Sequence, residues 1–266
     1  MTRADEKVAR TESESRHMGE GTNPRRIVLA LALVVAATLD AGSGTAATPV
    51  LAQKIYVYLP SNVRPPMLQR LLAAALPGAE VMVFRHLHDF ETSIEETPPD
   101  FVISARPFVD RYDRWKRVLQ GFAADREEEA YVLVSVGRTA DPADISRLEI
   151  GVVDLLGKKG MSGLVARLLG TTTLPKLIRV GQPEDLLPLL ELEMAGAVLM
   201  PARSVPSLRE KSALDLRVTE LKAALVGLPA VGAVAGAPAS TEMVRRLMGL
   251  PPGVKAMLGV DDWRRP

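Results

Sequence analysis

Cysteine is absent from all 266 residues, so a disulfide, a thiolate metal site and a lipid-anchor cysteine are all closed to this chain. Histidine is scarce, at three residues, and the chain has no Gly-x-Ser-x-Gly elbow, cysteine nucleophile or histidine–glutamate zinc motif. The common hydrolase chemistries therefore lack their parts. Aromatics make up 4% of the residues, too few for the stacking platforms that hold sugars or single-stranded nucleic acid. No charge sign dominates either: 33 Lys and Arg face 32 Asp and Glu, mixed along the chain, which leaves no electrostatic footprint for nucleic acid.

The apolar run Ile27 to Ala37 is only about half the roughly 20 residues a membrane span needs. It follows Arg25-Arg26 and precedes the small-residue tract Ala41 to Ala47, the order of a secretory signal peptide. Residues 1–52 are therefore expected to be a leader, with Met18 a candidate start, cleavage after Ala52 and a mature chain from Gln53 into the periplasm. Cleavage at Ala41 or Ala47, a twin-arginine signal and a retained anchor stay open as alternatives. The remaining chain, about 210 residues, is long enough to bury a core without staples.

From Lys54 a β-α rhythm sets in. Lys54–Leu59, Glu80–Phe84 and Asp100–Ser104 read as strands, and Met67–Leu76 reads as a helix stopped by Pro77-Gly78. Arg106–Gln120 is expected to be helical, because Phe108, Tyr112, Trp115 and Leu119 recur at helical spacing. Strands follow at Tyr131–Val136, Glu149–Asp154, Leu177–Val180, Gly196–Met200, Leu214–Val218 and Pro229–Ala237, with helices at Pro183–Met194, Val205–Lys211 and Thr241–Met248. Such alternation implies mostly parallel sheets covered by helices.

The segment Gly157-Lys-Lys-Gly160-Met-Ser162-Gly163 reads as a glycine-rich entry into a helix, with Ser162 as N-cap. There the unpaired N–H groups, the helix dipole and Lys158 or Lys159 would favour an anion. Many such turns simply connect a strand to a helix, and the spacing is not that of a nucleotide P-loop.

Taken in order, Lys54–Tyr58, Asp100–Ala105, Leu148–Gly163, Ile178–Leu190 and Gly196–Pro201 resemble the type II periplasmic binding proteins, most nearly the phosphonate-binding branch of the receptors that serve ABC transporters. The resemblance implies an α/β, two-lobed fold with mostly parallel sheets flanked by helices and hinge strands between the lobes. It implies lobe one from 53–135 plus 223–266, lobe two from 136–222, hinge strands near Val132–Val136 and Leu216–Leu221, and a ligand at the carboxyl ends of the strands. Candidate ligand-binding residues are Tyr58, Ser61, Asn62, Ser104, Arg106, Gly160, Met161, Ser162, Pro201 and Arg203. Arg106 would grip an oxyanion bidentately, with Ser104 and Ser162 donating hydrogen bonds, unless both arginines are simply solvated.

His86 and His88, two apart, read as a solvated strand end rather than a metal pair. Glu95-Glu96, Asp261-Asp262 and Arg126 to Glu129 read as solvated loops. No cofactor, catalytic residue or metal ligand is therefore assigned. The expected function is capture of a small anionic solute by a monomer that delivers it to an ABC-transporter permease. A sensory or accessory module of the same fold signalling to a membrane partner, and an exported hydrolase, are the alternatives.

Overall fold

Gln53–Tyr58 forms β1, whose last four residues are all buried, and the chain leaves it through Pro60 into α1, Pro65–Ala75. Two prolines open α1, where the first N–H groups need no partner, and Leu68, Leu72 and Leu76 pack inward at intervals of one turn. Gly78, at φ +82, makes the reversal into β2, Ala79–Phe84. Leu87–Glu96 is α2, which buries Leu87, Phe90 and Ile94, and Phe101–Ala105 is β3, buried throughout. The structure, a computed structural model, describes residues 52–140, 144–236 and 241–266. The apolar run, its flanking arginines and nearly all of the expected leader lie outside the described residues.

The expected long helix at Arg106–Gln120 is instead one turn, α3 (Arg106–Val109), followed by the strand β4 (Trp115–Phe122). A spacing of four places residues on one side of a helix and of a strand alike, so the aromatic pattern did not separate the two. Backbone pairing decides the outcome: β4 runs antiparallel to a later strand, and an irregularity around Val118 puts Trp115 and Leu119 into different apolar clusters.

A tight turn follows β4, with Ala124 and Asp125 both left-handed at φ +47 and φ +59, and leads into β5, Glu128–Val136. Next come β6 (Glu149–Val153), α4 (Gly157–Leu169) and β7 (Lys176–Val180). A 3₁₀ turn at Pro183–Asp185 precedes α5 (Leu186–Glu191), so the expected helix to Met194 is shorter and begins as 3₁₀. The alternation closes with β8 (Ala197–Pro201), α6 (Val205–Glu210), β9 (Leu216–Gly227), β10 (Pro229–Val234), α7 (Thr241–Met248), α8 (Pro252–Met257) and β11 (Asp262–Arg264).

Two mixed sheets result, ordered β11-β4-β10-β3-β1-β2 and β7-β6-β8-β5-β9. Parallel pairing joins β1 to β2 and β3, and β6 to β7 and β8, whereas β4, β5, β9, β10 and β11 pair antiparallel. The chain changes sheet at 123–127 and at Leu228, because β5 and β9 pair with each other from Glu128 and Gly227 onward. Opposite Tyr131 that pairing breaks: Ala130 faces Leu225 and Val132 faces Glu220, and the extra residues of β9 include Ala223 at φ +58. One apolar cluster runs through both lobes, from Tyr58, Phe90 and Phe108 to Leu155, Leu156 and Met161. Among the described residues, no helix is long and apolar enough to cross a membrane.

Candidate functional site

The start of α4, where the glycine-rich segment led us to expect an anion, holds a carboxylate of the chain itself. Asp154 leaves β6 and turns back, so that its Oδ1 accepts hydrogen bonds from the backbone N–H of Gly157 at 2.7 Å and of Leu156 at 3.3 Å. Its Oδ2 pairs with Arg179 at 2.5 Å. The helix dipole and two orphan donors are thereby satisfied internally. Ser162 is not the N-cap: it lies inside α4 and its hydroxyl donates back to the Lys158 carbonyl at 3.2 Å.

Around this point the lobes are stitched by side chains that donate to backbone carbonyls of the opposite lobe. The Tyr58 hydroxyl donates to Asp154 O at 2.7 Å, Arg111 to Leu156 O at 2.5 Å, and Gln182 to Arg85 O at 3.1 Å. Burial pushes the Tyr58 hydroxyl far above its ordinary titration range, and the nearby Asp154 and Glu91 carboxylates add to the shift, so it remains a donor. On the other side Arg203, which follows β8, donates to Gly259 O at 3.1 Å.

Beside Arg203 a cavity of about 450 Å³ lies between the lobes. The first lobe contributes Leu59 to Val63, Pro229 and Ala256 to Gly259, and the second contributes β5, the ends of β6 and β8, and faces of α4, α5 and α6. Arg203 pairs through Nε with Glu129 Oε2 at 2.7 Å. Desolvation raises the Glu129 carboxyl above its usual range, and Arg203 opposes that shift without cancelling it. Tyr131, two residues further along β5, also lines the cavity, and burial drives its hydroxyl well above the ordinary phenol range. Ser61, Asn62, Ser204 and Ser207 supply neutral polar groups, and Glu184 and Lys211 the remaining charges.

No family model matches the sequence, and no curated protein does. Solved structures do match. A Xanthomonas citri protein bound to ATP superimposes with a TM-score of 0.57 at 9% identity, covering 81% of this chain and 92% of that one. The GluR0 ligand-binding core in complex with L-glutamate gives 0.53 at 14% identity, covering 80% and 98%. A histidine kinase sensor domain with similarity to periplasmic binding proteins gives 0.51 at 13% identity, covering 80% and 99%. The fold is the two-lobed periplasmic-binding-protein fold. Within it, the cavity occupies the interlobe position at the carboxyl ends of β1 and β8.

Of the candidate residues, Ser61, Asn62, Met161, Pro201 and Arg203 line the interlobe cavity of this periplasmic-binding-protein fold, and Tyr58, Ser104, Arg106, Gly160 and Ser162 do not. Ser104 is buried, and its hydroxyl donates to Tyr58 O at 2.9 Å. The Arg106 guanidinium is claimed by carboxylates: Asp110 at 3.3 Å, and Glu127 and Glu128 each at 3.6 Å. Its stem lies against Gly227, where an added Cβ would come within 2.3 Å of the Arg106 Cδ. Gly160 gives room to Arg111, whose Nη1 would be 2.7 Å from a Cβ there. His86 immediately precedes α2 and His88 sits in its first turn, so the strand alternation expected of them is absent. Glu129, set among solvated turn residues by the sequence reading, is instead a half-buried wall of the cavity. Carrying the period-two pattern of β5 back from Tyr131 would have found it.

Proposed function

We propose that this chain is a binding module, not an enzyme, which is exported to the periplasm, holds a small molecule between its lobes and delivers it to the permease of an ABC transporter. The observation that carries the reading is the interlobe cavity of about 450 Å³, lined from both lobes and sized for one small ligand. The sequence resemblance nominates phosphonates as one ligand class for the test of this reading. A second reading, a sensory or accessory module acting on a membrane partner, is favoured by the lobe-spanning seam of Tyr58, Arg111 and Gln182 over a shared apolar cluster.

The absence of cysteine makes the test direct. Asn62→Cys and Ser207→Cys place two fluorophores on opposite lobes at the cavity, and a panel of phosphonates, amino acids, carboxylates and apolar amides is titrated while energy transfer is followed. Saturable binding with an increase in transfer supports capture by closure. Binding without any change in transfer removes the closure cycle and leaves the sensory reading. Fractionation of cells expressing the full chain tests export: retention in the cytoplasm refutes it.

A further inference from the structure

Resting on the capture reading, we infer that the cavity selects a ligand of zero net charge with an apolar body, rather than the anion expected from the sequence. The lining carries two acids, Glu129 and Glu184, and two bases, Arg203 and Lys211, so its formal charges cancel. Arg203 is already committed to Glu129 and to the Gly259 carbonyl. Two other anion holders are engaged elsewhere: Arg106 with Asp110, Glu127 and Glu128, and the N–H groups of Leu156 and Gly157 with Asp154. A dianion entering this space gives up its hydration and meets no net counter-charge, which is the unfavourable case for burying charge.

An apolar body meets the opposite situation. Leu59, Val63 and Met257 from the first lobe and Val153 and Leu187 from the second are only half-buried, and all of them face the cavity. Among the described residues that carbon surface is covered only in part, and a ligand's hydrocarbon would remove the rest from water. Ser61, Asn62, Ser204 and Ser207 then suit a neutral polar end such as an amide or a hydroxyl.

Octanamide and octylphosphonate carry the same body with different charge, and methylphosphonate and L-glutamate carry charge with little or no body. Calorimetric titration of the full chain with each probe separates the two variables. Octanamide is expected to bind at least about tenfold more tightly than octylphosphonate, with the two small anions weaker still. Met257→Lys and Leu187→Lys, each verified as folded by far-UV circular dichroism, should abolish octanamide binding. Tighter binding of either phosphonate or of glutamate overturns the neutral class and leaves capture intact. Octanamide binding that survives both lysines also overturns it, because the probe then sits outside the cavity. No binding by any probe removes the capture reading together with this one.

Discussion

Replacing Asp154 by alanine removes the acceptor for two backbone N–H groups at the start of α4 and the partner of Arg179 in a single step. Asp154 stands two residues before the N-cap Leu156, and loss of its hydrogen bonds to the two N–H groups costs about 1 kcal/mol. The ion pair, with side chains 17% and 34% exposed, is partly screened and adds about 0.5–1 kcal/mol. The sum is about 2 kcal/mol, which for a body of roughly 200 residues lowers the melting temperature by about 4–8 °C. Asp154→Asn keeps an oxygen acceptor and loses the charge, so it should lose less than the alanine variant. Thermal unfolding of both variants, with Arg179→Met and the Asp154→Ala/Arg179→Met double variant completing a cycle, separates the hydrogen bonds from the ion pair. The alanine variant also opens a place for an external anion: millimolar phosphate should restore part of its melting temperature and leave the wild type unmoved. An alanine variant within about 0.5 kcal/mol of wild type, less than the lost hydrogen bonds and ion pair together are worth, would refute the reasoning. So would equal stabilisation of both proteins by phosphate.

Two glycines one turn apart in α4 should respond with opposite sign. Gly163 is exposed with open space around its Cβ position, so Gly163→Ala should raise stability by about 1 kcal/mol, whereas at Gly160 the Cβ would come within 2.5 Å of Leu156 Cβ, and Gly160→Ala should lower it; chemical denaturation measures both. Tyr58→Phe leaves the Asp154 carbonyl without its cross-lobe donor and should cost about 1 kcal/mol, read by the same denaturation midpoint. Glu129 supplies a pH test. Its carboxyl is raised above its ordinary 4.5, so the stability it confers when protonated is full below that value and is lost as pH rises through the raised titration. The melting temperature of wild type relative to Glu129→Gln should therefore fall over that interval, and a flat or rising difference contradicts the assignment.

Local pattern carried much of the architecture. Leu68, Leu72 and Leu76 marked α1, Pro77-Gly78 its end, and the β-branched content of β1, β6 and β8 their strands, because helix and strand periodicity is written residue by residue. The two lobes were implied by the resemblance to periplasmic binding proteins that those segments carry, not by their periodicity. The segment 106–122 was not, since the spacing of Trp115 and Leu119 suits either element and only pairing with β10 chose the strand. The short elements α8 and β11 beyond Leu250 were missed for the same reason: β11 exists because β4 offers it an edge.

Of the site, the sequence by itself determined the composition: no cysteine, few aromatics, balanced charge, and a glycine-rich turn after β6. Which charge meets which was decided only in three dimensions. Arg106 and Arg203 are alike as letters, yet one is bound to carboxylates away from the cavity and the other stands in its wall beside Glu129. Asp154 reads as the end of a strand until the turn brings its oxygen onto the helix it precedes. Periodicity is a property of neighbours along the chain, whereas electrostatic pairing depends on distances between residues such as Arg203 and Gly259, which are 56 positions apart and meet only when both lobes are folded.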